Sequence, residues 1–395
     1  MAHSSQTGAC RRSRRRRLRL PTTALMALLA VVPFGSLGAL QDRIVSGTVT
    51  GRVSQGRFIY SHKDDSNRVA YQVGYLKRHQ PARPAVYLLG GSAVRECIVS
   101  PDGLGRAIGN RCPVEPKVKI LASSEQNLAG DLAIVDNLPS EHGGVIVIGI
   151  HHTPFAFGYG GATRQLQGNE LMVRSTALRD FIAARLGGDQ TASIIPGIKL
   201  YLEKYRRKRG LPAFRGGSIA YWPHRYDQDE SWSDAFKRSR VGLWLTGRGR
   251  PGGPFYTYFD FNAALLEETV KLARARGFEV LLMEDSQNAG FVGDAWDKYK
   301  DKYRAVCTRL VDDYGAHYVN LNRNAALTNR DFYDLIHLLP SGRVKWQPRL
   351  GETLAQIFSD HPPPIPTLSP SPSSPSPLAS AATGGLDGLL ASIRE

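Results

Sequence analysis

The chain has 395 residues, of which 42% are hydrophobic, so it can bury a sizeable core and is not disordered throughout. Its formal net charge of +16 would suggest a nucleic-acid partner, but seven of these charges are arginines between residues 11 and 19. Without them the remaining chain carries +9, a moderate excess that does not by itself require nucleic acid.

The segment after the arginines, residues 20–40, reads "LPTTALMALLAVVPFGSLGAL". A basic head followed by an apolar segment is typical of an export signal or an N-terminal membrane anchor. At about 1.5 Å per residue the segment is just long enough to span a bilayer, whereas Pro33 and the small residues around Ala39 favour cleavage. Either form predicts that the rest of the chain lies outside the cytoplasm, which argues against a nucleic-acid partner.

The other end of the chain is dense in proline and serine. Residues 361–383, "HPPPIPTLSPSPSSPSPLASAAT", lack the apolar side chains that a core needs, so residues 361–395 are predicted to be a disordered tail. The chain therefore divides into a basic N-terminus with a signal or anchor (1–40), a globular body (42–360) and this tail.

Apolar runs alternate with helical patterns along the body. The five predicted strands lie at residues 85–89, 118–122, 145–150, 278–284 and 317–322. Helical patterns occupy residues 127–138, 259–276, 296–314 and 341–358. This alternation predicts an α/β fold: a three-layer α/β/α arrangement with a mostly parallel five-stranded sheet. Active groups are then expected at the carboxyl ends of the strands.

Residues 187–257 interrupt this alternation and are predicted to be an insertion of less regular structure. They contain the basic run 204–209 and the tryptophans Trp222, Trp232 and Trp244. Aromatic and cationic side chains together can stack on sugars or hold anionic groups. An additional structural subdomain with a solvated basic helix fits the same residues, and the sequence leaves both interpretations open.

Metal and disulfide signals are weak. The chain lacks a Cys-x-x-Cys motif, and the neighbours His151 and His152 would point to opposite faces of a strand. We therefore predict no metal and no cofactor. Cys97 and Cys112 would be able to pair in an oxidising compartment, but the sequence does not give their separation.

Two short segments are candidates for catalysis. In "VYLLGGSAVRE", residues 86–96, Ser92 follows the first strand and two glycines, as either an exposed nucleophile or the cap of a helix. In "DFYDLIHLLPSG", residues 331–342, Asp334 and His337 are three residues apart, which puts both side chains on one side of a helical turn or tight loop. An aspartate there can fix the histidine tautomer that takes a proton from serine.

These segments resemble the ordered motifs of the SGNH/GDSL hydrolase superfamily. The matching blocks are Gly90-Gly91-Ser92, Gly149-Ile150-His151 and Asp334-x-x-His337, and the likeness spans residues 84–359 outside the insertion. It resembles in particular the exported members in which Gly-Ser or Gly-Gly-Ser replaces Gly-Asp-Ser. The resemblance implies a flavodoxin-like fold in which Ser92 is the nucleophile, His337 the base and Asp334 the residue that orients it.

The oxyanion hole of this family is matched less closely. Glu125 stands near the position of a glycine whose N–H binds the oxyanion, and His151 stands where an asparagine is usual. Gly91, in a turn that lets the backbone approach closely, and the side chains of Asn127 and His151 are the candidate oxyanion donors.

The resulting expectation is an extracytoplasmic serine esterase, secreted or anchored, with a Ser92–His337–Asp334 triad. Its expected partner is an acylated small molecule or glycan, such as an acylated envelope polymer, and no nucleic acid is expected. Two alternatives remain open at this point: an O-acyltransferase on the same fold and a noncatalytic envelope-binding protein.

Overall fold

Five parallel strands form the centre of the molecule in a computed structural model that describes residues 65–81, 84–139, 144–166, 171, 173–187, 224, 226–227 and 230–362. The strands are β1 Ala85–Leu89, β2 Lys117–Ile120, β3 Gly144–Ile150, β4 Glu279–Glu284 and β5 His317–Val319. The predicted N-terminal signal or anchor, the basic run 204–209, Trp222 and the C-terminal tail from residue 363 lie outside the described residues.

The strand order is β2-β1-β3-β4-β5, and every pair of neighbours is parallel. This is the order of flavodoxin-like folds, in which sites form at the carboxyl edge beside the first strand. The predicted five-stranded α/β/α fold is therefore confirmed, and the sheet is parallel throughout.

The described residues form eleven α-helices. They are α1 Asp65–Leu76, α2 Ser92–Arg95, α3 Pro101–Gly109, α4 Leu128–Val135, α5 Tyr159–Leu166, α6 Thr176–Leu186, α7 Asp234–Thr246, α8 Pro254–Ala275, α9 Ala289–Val292, α10 Asp297–Tyr314 and α11 Pro340–Asp360. No helix within these residues is both long enough and apolar enough to cross a membrane.

The two faces of the sheet carry separate cores. Tyr87 and Leu89 of β1 point to the face covered mainly by α1, α4, α8 and α10, whereas Val86 and Leu88 point to the face covered by α3 and α11. All residues of β1 and β3 are buried, because helices cover both faces. Such strands appear in the sequence as continuous apolar runs rather than as alternating patterns, which explains why they could be predicted.

The insertion predicted at residues 187–257 contains more regular structure than expected. Helix α7 lies inside it, capped by Ser233, whose Oγ accepts a hydrogen bond from the N–H of Phe236 at 3.3 Å. Helix α8 begins at Pro254, before the predicted boundary. Only Lys237 and Val241 of α7 are buried, so this helix leaves little apolar periodicity in the sequence.

Cys97 and Cys112 do not form the disulfide that an oxidising compartment would permit. Both are buried in the core beneath α3 and α11, and both thiols are free within the described residues. The Sγ of Cys112 instead donates to the carbonyl oxygens of Ile108 and Val114 at 3.5 and 3.4 Å.

Candidate active site

Ser92 lies at the carboxyl edge of the sheet, one tight turn after β1. Gly90 in this turn has φ +133°, a backbone conformation that side chains rarely adopt. A Cβ at Gly90 would also lie 2.9 Å from Cγ2 of Val94. Glycine therefore allows the strand to run directly into α2, of which Ser92 is the first residue.

The structure decides between the two interpretations of Ser92. Gly91, which has no side chain, occupies the N-cap position of α2. The Oγ of Ser92 lies instead 2.8 Å from Nε2 of His337. Ser92 is thus not the cap of this helix, and the structure brings it together with a histidine 245 positions further along the chain.

Asp334 completes the predicted group of three. Its Oδ2 lies 2.6 Å from Nδ1 of His337. Its Oδ1 accepts hydrogen bonds from the backbone N–H groups of Ile336 and His337 at 2.9 and 2.8 Å. Hydroxyl, imidazole and carboxylate thus form one chain of hydrogen bonds, and burial of Asp334 and His337 shields the carboxylate end of it from water.

The environment of Asp334 favours its ionised form. Burial on its own would raise the pKa of this carboxyl, but His337 and the two backbone N–H groups outweigh it, and the net pKa lies below its ordinary value. Next to an ionised carboxylate, the Nδ1 of His337 carries the proton and Nε2 is left unprotonated. Nε2 can therefore accept the proton of Ser92.

The Asp-x-x-His motif lies in a tight loop, residues 331–339, rather than in a helix. Phe332 and Leu338 pair as an isolated bridge across this loop, and the N–H of Tyr333 donates to the carbonyl oxygen of His337 at 2.9 Å. The segment after β4 also stabilises the loop, because Ser286 Oγ donates a hydrogen bond to the carbonyl oxygen of Ile336 at 2.6 Å.

The insertion also contacts this loop. Ser231 Oγ donates to the carbonyl oxygen of Phe332 at 3.0 Å, and the N–H of Trp232 donates to that of Tyr333 at 3.0 Å. The ring of Tyr226 lies 4.6 Å from the imidazole of His337, centroid to centroid. The sequence did not identify Tyr226, because nothing in its local pattern distinguishes it from a core aromatic residue.

A buried ionic network fixes the far end of α2. Arg95 pairs with Asp65 and Glu96, and the Nε of Arg343 donates to the carbonyl oxygen of Glu96 at 2.9 Å. Arg343 in turn pairs with Asp227 at 2.6 Å. Since burying unpaired charges is costly, these pairings hold α2, and Ser92 with it, in one position.

A cavity of about 670 Å³ opens beside Ser92, within the size range of small-molecule sites. Two of the three predicted oxyanion residues, Gly91 and His151, belong to its lining. Trp244 of the insertion lines it as well, so the part of the chain that interrupts the alternation builds part of the site.

Asn127, the third predicted oxyanion donor, is not among the described residues that line this cavity. It is the N-cap of α4, and its Oδ1 accepts a hydrogen bond from the N–H of Gly130 at 2.9 Å. Asparagine is a preferred residue at this position because it satisfies an otherwise unpaired helix N–H. The structure therefore gives Asn127 a structural role.

Glu125 lines the cavity and has φ +61°, in the left-handed region of backbone space. This conformation costs a residue with a Cβ about 1–2 kcal/mol, whereas glycine adopts it freely. The backbone at this position thus adopts the left-handed conformation that favours glycine, although the residue is glutamate. Such strain is concentrated at functional sites.

His151 is held as a neutral donor. Its Nδ1 accepts a hydrogen bond from the N–H of Thr153 at 3.2 Å, so its proton resides on Nε2. Burial, followed by the nearby His337, lowers the pKa of His151 to about 3. His151 lines the cavity, and the nitrogen that carries its single N–H lies 3.4 Å from Oδ2 of Asp285.

Asp285 is a residue of this site that the sequence analysis missed. It directly follows β4, and within the described part of the chain neither carboxyl oxygen has a hydrogen-bond partner. Burial, followed by Asp131 and Glu284, raises its pKa to about 8. Its position directly after a buried strand, at the carboxyl edge, was the signal that could have identified it.

Gly149 is what lets Asp285 approach β3. A Cβ at Gly149 would lie 2.5 Å from Oδ1 of Asp285 and would overlap Cγ2 of Val94 in α2. The glycine of the predicted Gly-Ile-His block therefore serves close packing beneath Ser92, and His151 follows it at the cavity.

One group of described residues, Glu279, His317 and His361, brings its ligand atoms within 4.8 Å of one another and could hold a cation. Glu279 begins β4, so the group lies at the amino edge of the sheet, opposite the triad. Arg274 already pairs with Glu279 at 2.5 Å. A guanidinium at this place opposes the binding of a metal ion.

Comparison with models of known protein families gives no match. No curated protein is significantly similar to the chain in sequence. The site itself holds a serine hydroxyl, an imidazole and an ionised carboxylate in hydrogen-bond contact, beside a cavity that a small molecule can enter.

Proposed function

We propose that this protein is a serine esterase of the SGNH/GDSL type that cleaves ester-linked acyl groups outside the cytoplasm. The observation that carries the proposal is the contact of 2.8 Å between Ser92 Oγ and His337 Nε2, with Asp334 Oδ2 at 2.6 Å on the other side of the imidazole. A nucleophile, a base and a residue that orients the base are the parts that acyl transfer requires.

This geometry supports the following reaction. His337 Nε2 takes the proton of Ser92 as Oγ attacks the ester carbonyl, and Asp334 stabilises the imidazolium that forms. The imidazolium then gives the proton to the departing alcohol oxygen, which leaves an acyl group on Ser92. A water molecule repeats the sequence: His337 takes its proton, the hydroxide cleaves the acyl–serine bond, and the proton returns to Ser92.

The negative oxygen formed on the carbonyl needs hydrogen-bond donors. The backbone N–H of Gly91 and the Nε2–H of His151 are the candidates, since both residues line the cavity with Ser92. One such donor typically accounts for a factor of about 10²–10³ in rate. His151 suits this role because it is neutral and holds its proton on one defined nitrogen.

An acylated glycan is the proposed class of substrate. Trp244 and Phe157 line the cavity, and aromatic rings of this kind stack on sugar faces. The volume of about 670 Å³ is more than a small acyl group fills, which leaves space for the sugar that carries it. The extracytoplasmic setting rests on the basic and apolar segments before residue 41, outside the described residues.

Labelling with a fluorophosphonate probe tests this proposal. We expect the folded wild-type protein to be labelled, Ser92→Ala to lose the label, and Ser359→Ala, a matched change at an exposed serine of α11, to keep it. A folded wild type that remains unlabelled would instead favour a noncatalytic envelope-binding protein.

The same protein can be used to separate hydrolysis from acyl transfer. An acylated substrate is incubated with and without a free sugar, and the products are measured by mass spectrometry. The proposed esterase releases free acid in both cases. Diversion of the acyl group to the added sugar would identify an O-acyltransferase with the same nucleophile.

A further inference from the structure

Three arginines line the cavity beside Ser92, and they come from separate parts of the fold. Arg164 lies on α5, Arg240 on α7, and Arg248 in the turn that follows α7. Two of them therefore belong to the insertion that interrupts the strand–helix alternation. Chain segments that are far apart in sequence therefore place guanidinium groups around the same cavity.

The charge of this cavity is strongly unbalanced. Glu125 is the single acidic residue among the described residues of its lining, and His151 is neutral, so Arg240 and Arg248 alone already outnumber the acidic side chains there. A concave surface of one predominant sign concentrates ligands of the opposite sign. The cavity thus favours a ligand with at least one negative charge.

Aromatic rings position two of these arginines. The guanidinium carbon of Arg248 lies 5.8 Å from the ring centroid of Phe157, and that of Arg240 lies 5.8 Å from the ring of Trp232. A ring orients a guanidinium group without neutralising it or occupying its N–H donors. Neither arginine pairs with a carboxylate within 4 Å in the part of the chain that the structure describes.

We propose that the cavity binds esters whose sugar carries an anionic oxygen group, either a carboxylate or a phosphate. This inference rests on the proposed function for the reacting end at Ser92 and adds the class of substrate. The planar guanidinium groups of Arg240 and Arg248 match the paired oxygens of either anion. Trp244 and Phe157 supply the apolar surface for the sugar ring between the anion and the ester.

Three acetylated sugars that differ only at carbon 6 test the proposal: acetylated glucose, acetylated glucuronate and acetylated glucose 6-phosphate. Acetate release by the wild type gives kcat/KM for each. Calorimetric titration of the Ser92→Ala protein gives affinity without turnover. We expect at least one anionic sugar to be preferred over the neutral sugar by tenfold or more, the order of magnitude of one hydrogen bond to a charged group. The two anionic sugars show whether carboxylate or phosphate is recognised.

The arginines are tested directly by the double variant Arg240→Gln, Arg248→Gln. It should lose most of the preference for the anionic sugar, measured as the ratio of kcat/KM for the anionic sugar to kcat/KM for acetylated glucose in the same protein. Arg179→Gln is the matched control, because Arg179 is an exposed arginine of α6 paired with Asp180 at 3.1 Å and does not line the cavity. The control should keep the full preference.

The outcomes separate this inference from the proposed function. Equal or undetectable binding of anionic and neutral sugars to the Ser92→Ala protein would overturn the anion site, as would an anion preference that survives in the double variant. Preferential binding of an anionic sugar by a wild type that releases no acetate and takes no fluorophosphonate label would keep the anion site and overturn the esterase.

Discussion

Asp334→Asn is the substitution that most directly tests the proposed catalytic group. In the wild type, Oδ1 of Asp334 accepts two backbone N–H groups at 2.9 and 2.8 Å, and Oδ2 faces Nδ1 of His337 at 2.6 Å. Asparagine can keep the first two bonds through its own oxygen, so the loop should retain its shape. Its amide nitrogen then takes the place of Oδ2.

This exchange reverses the hydrogen bond to His337. An amide nitrogen donates, so Nδ1 has to accept, and the proton of the imidazole moves to Nε2. The Nε2–H then donates to Ser92 Oγ, 2.8 Å away, and cannot take its proton. The wrong tautomer lowers kcat by about 10⁴-fold in serine hydrolases, which corresponds to about 5.5 kcal/mol in activation free energy.

The assay combines hydrolysis of 4-nitrophenyl acetate with the rate of fluorophosphonate labelling, and circular dichroism confirms the fold. Asp313→Asn, at an exposed position of α10, is the matched control and should behave as the wild type. A folded Asp334→Asn protein with activity within tenfold of the wild type would refute the reasoning, since His337 would then not need the carboxylate to act as a base.

Three further predictions concern residues around the site. Glu125→Gly should raise the free energy of unfolding by about 1 kcal/mol in urea denaturation by relieving the left-handed backbone at φ +61°, and an equal gain in Glu125→Ala would refute that cause. Gly149→Ala should lower the free energy of unfolding by about 1–3 kcal/mol and slow the labelling of Ser92, because its Cβ would overlap Val94 in α2; unchanged stability and labelling would show that this packing is loose. Asp285→Asn should flatten the dependence of stability on pH. Burial raises the pKa of Asp285 to about 8, so the folded state holds this proton more tightly than the unfolded state, and stability falls as pH rises from the ordinary value of 3.8 towards 8, by about 1.4 kcal/mol per pH unit. Urea titrations between pH 5 and 8.5 measure this slope, and identical slopes in variant and wild type would contradict the raised pKa.

The strands could be predicted because their signal is local. β1 was predicted with its observed bounds, and β3 was predicted as 145–150 against the observed Gly144–Ile150. β5 was predicted to reach residue 322 but ends at Val319. Asn320 explains the difference, since its side chain accepts a hydrogen bond from the N–H of Asn322 and starts a short 3₁₀ helix there.

The residues of the site differ in the same respect: some have a local signal in the sequence, and others do not. Ser92 and the Asp334–His337 pair belong to short motifs whose spacing can be read from a few neighbouring residues. Tyr226 and Arg240 acquire their positions only through contacts between distant segments, and each is locally an ordinary residue. Asn127 was suggested as an oxyanion donor by its place in the sequence, and the structure shows its Oδ1 as the cap of α4, a contact within its own segment.

The contact between Ser92 and His337 depends on a part of the chain that neither motif contains. β1 lies inside the sheet and β5 at its edge, with β3 and β4 between them. The loop that carries His337 follows β5, so it has to reach back across the end of β4 to meet Ser92. The segment after β4 supports it there: Ser286 and Asn288 donate to the carbonyl oxygens of Ile336 and Asp334 at 2.6 and 3.2 Å. The two motifs therefore meet with the help of polar side chains in the segment that follows β4, which bind the backbone of the loop that carries His337.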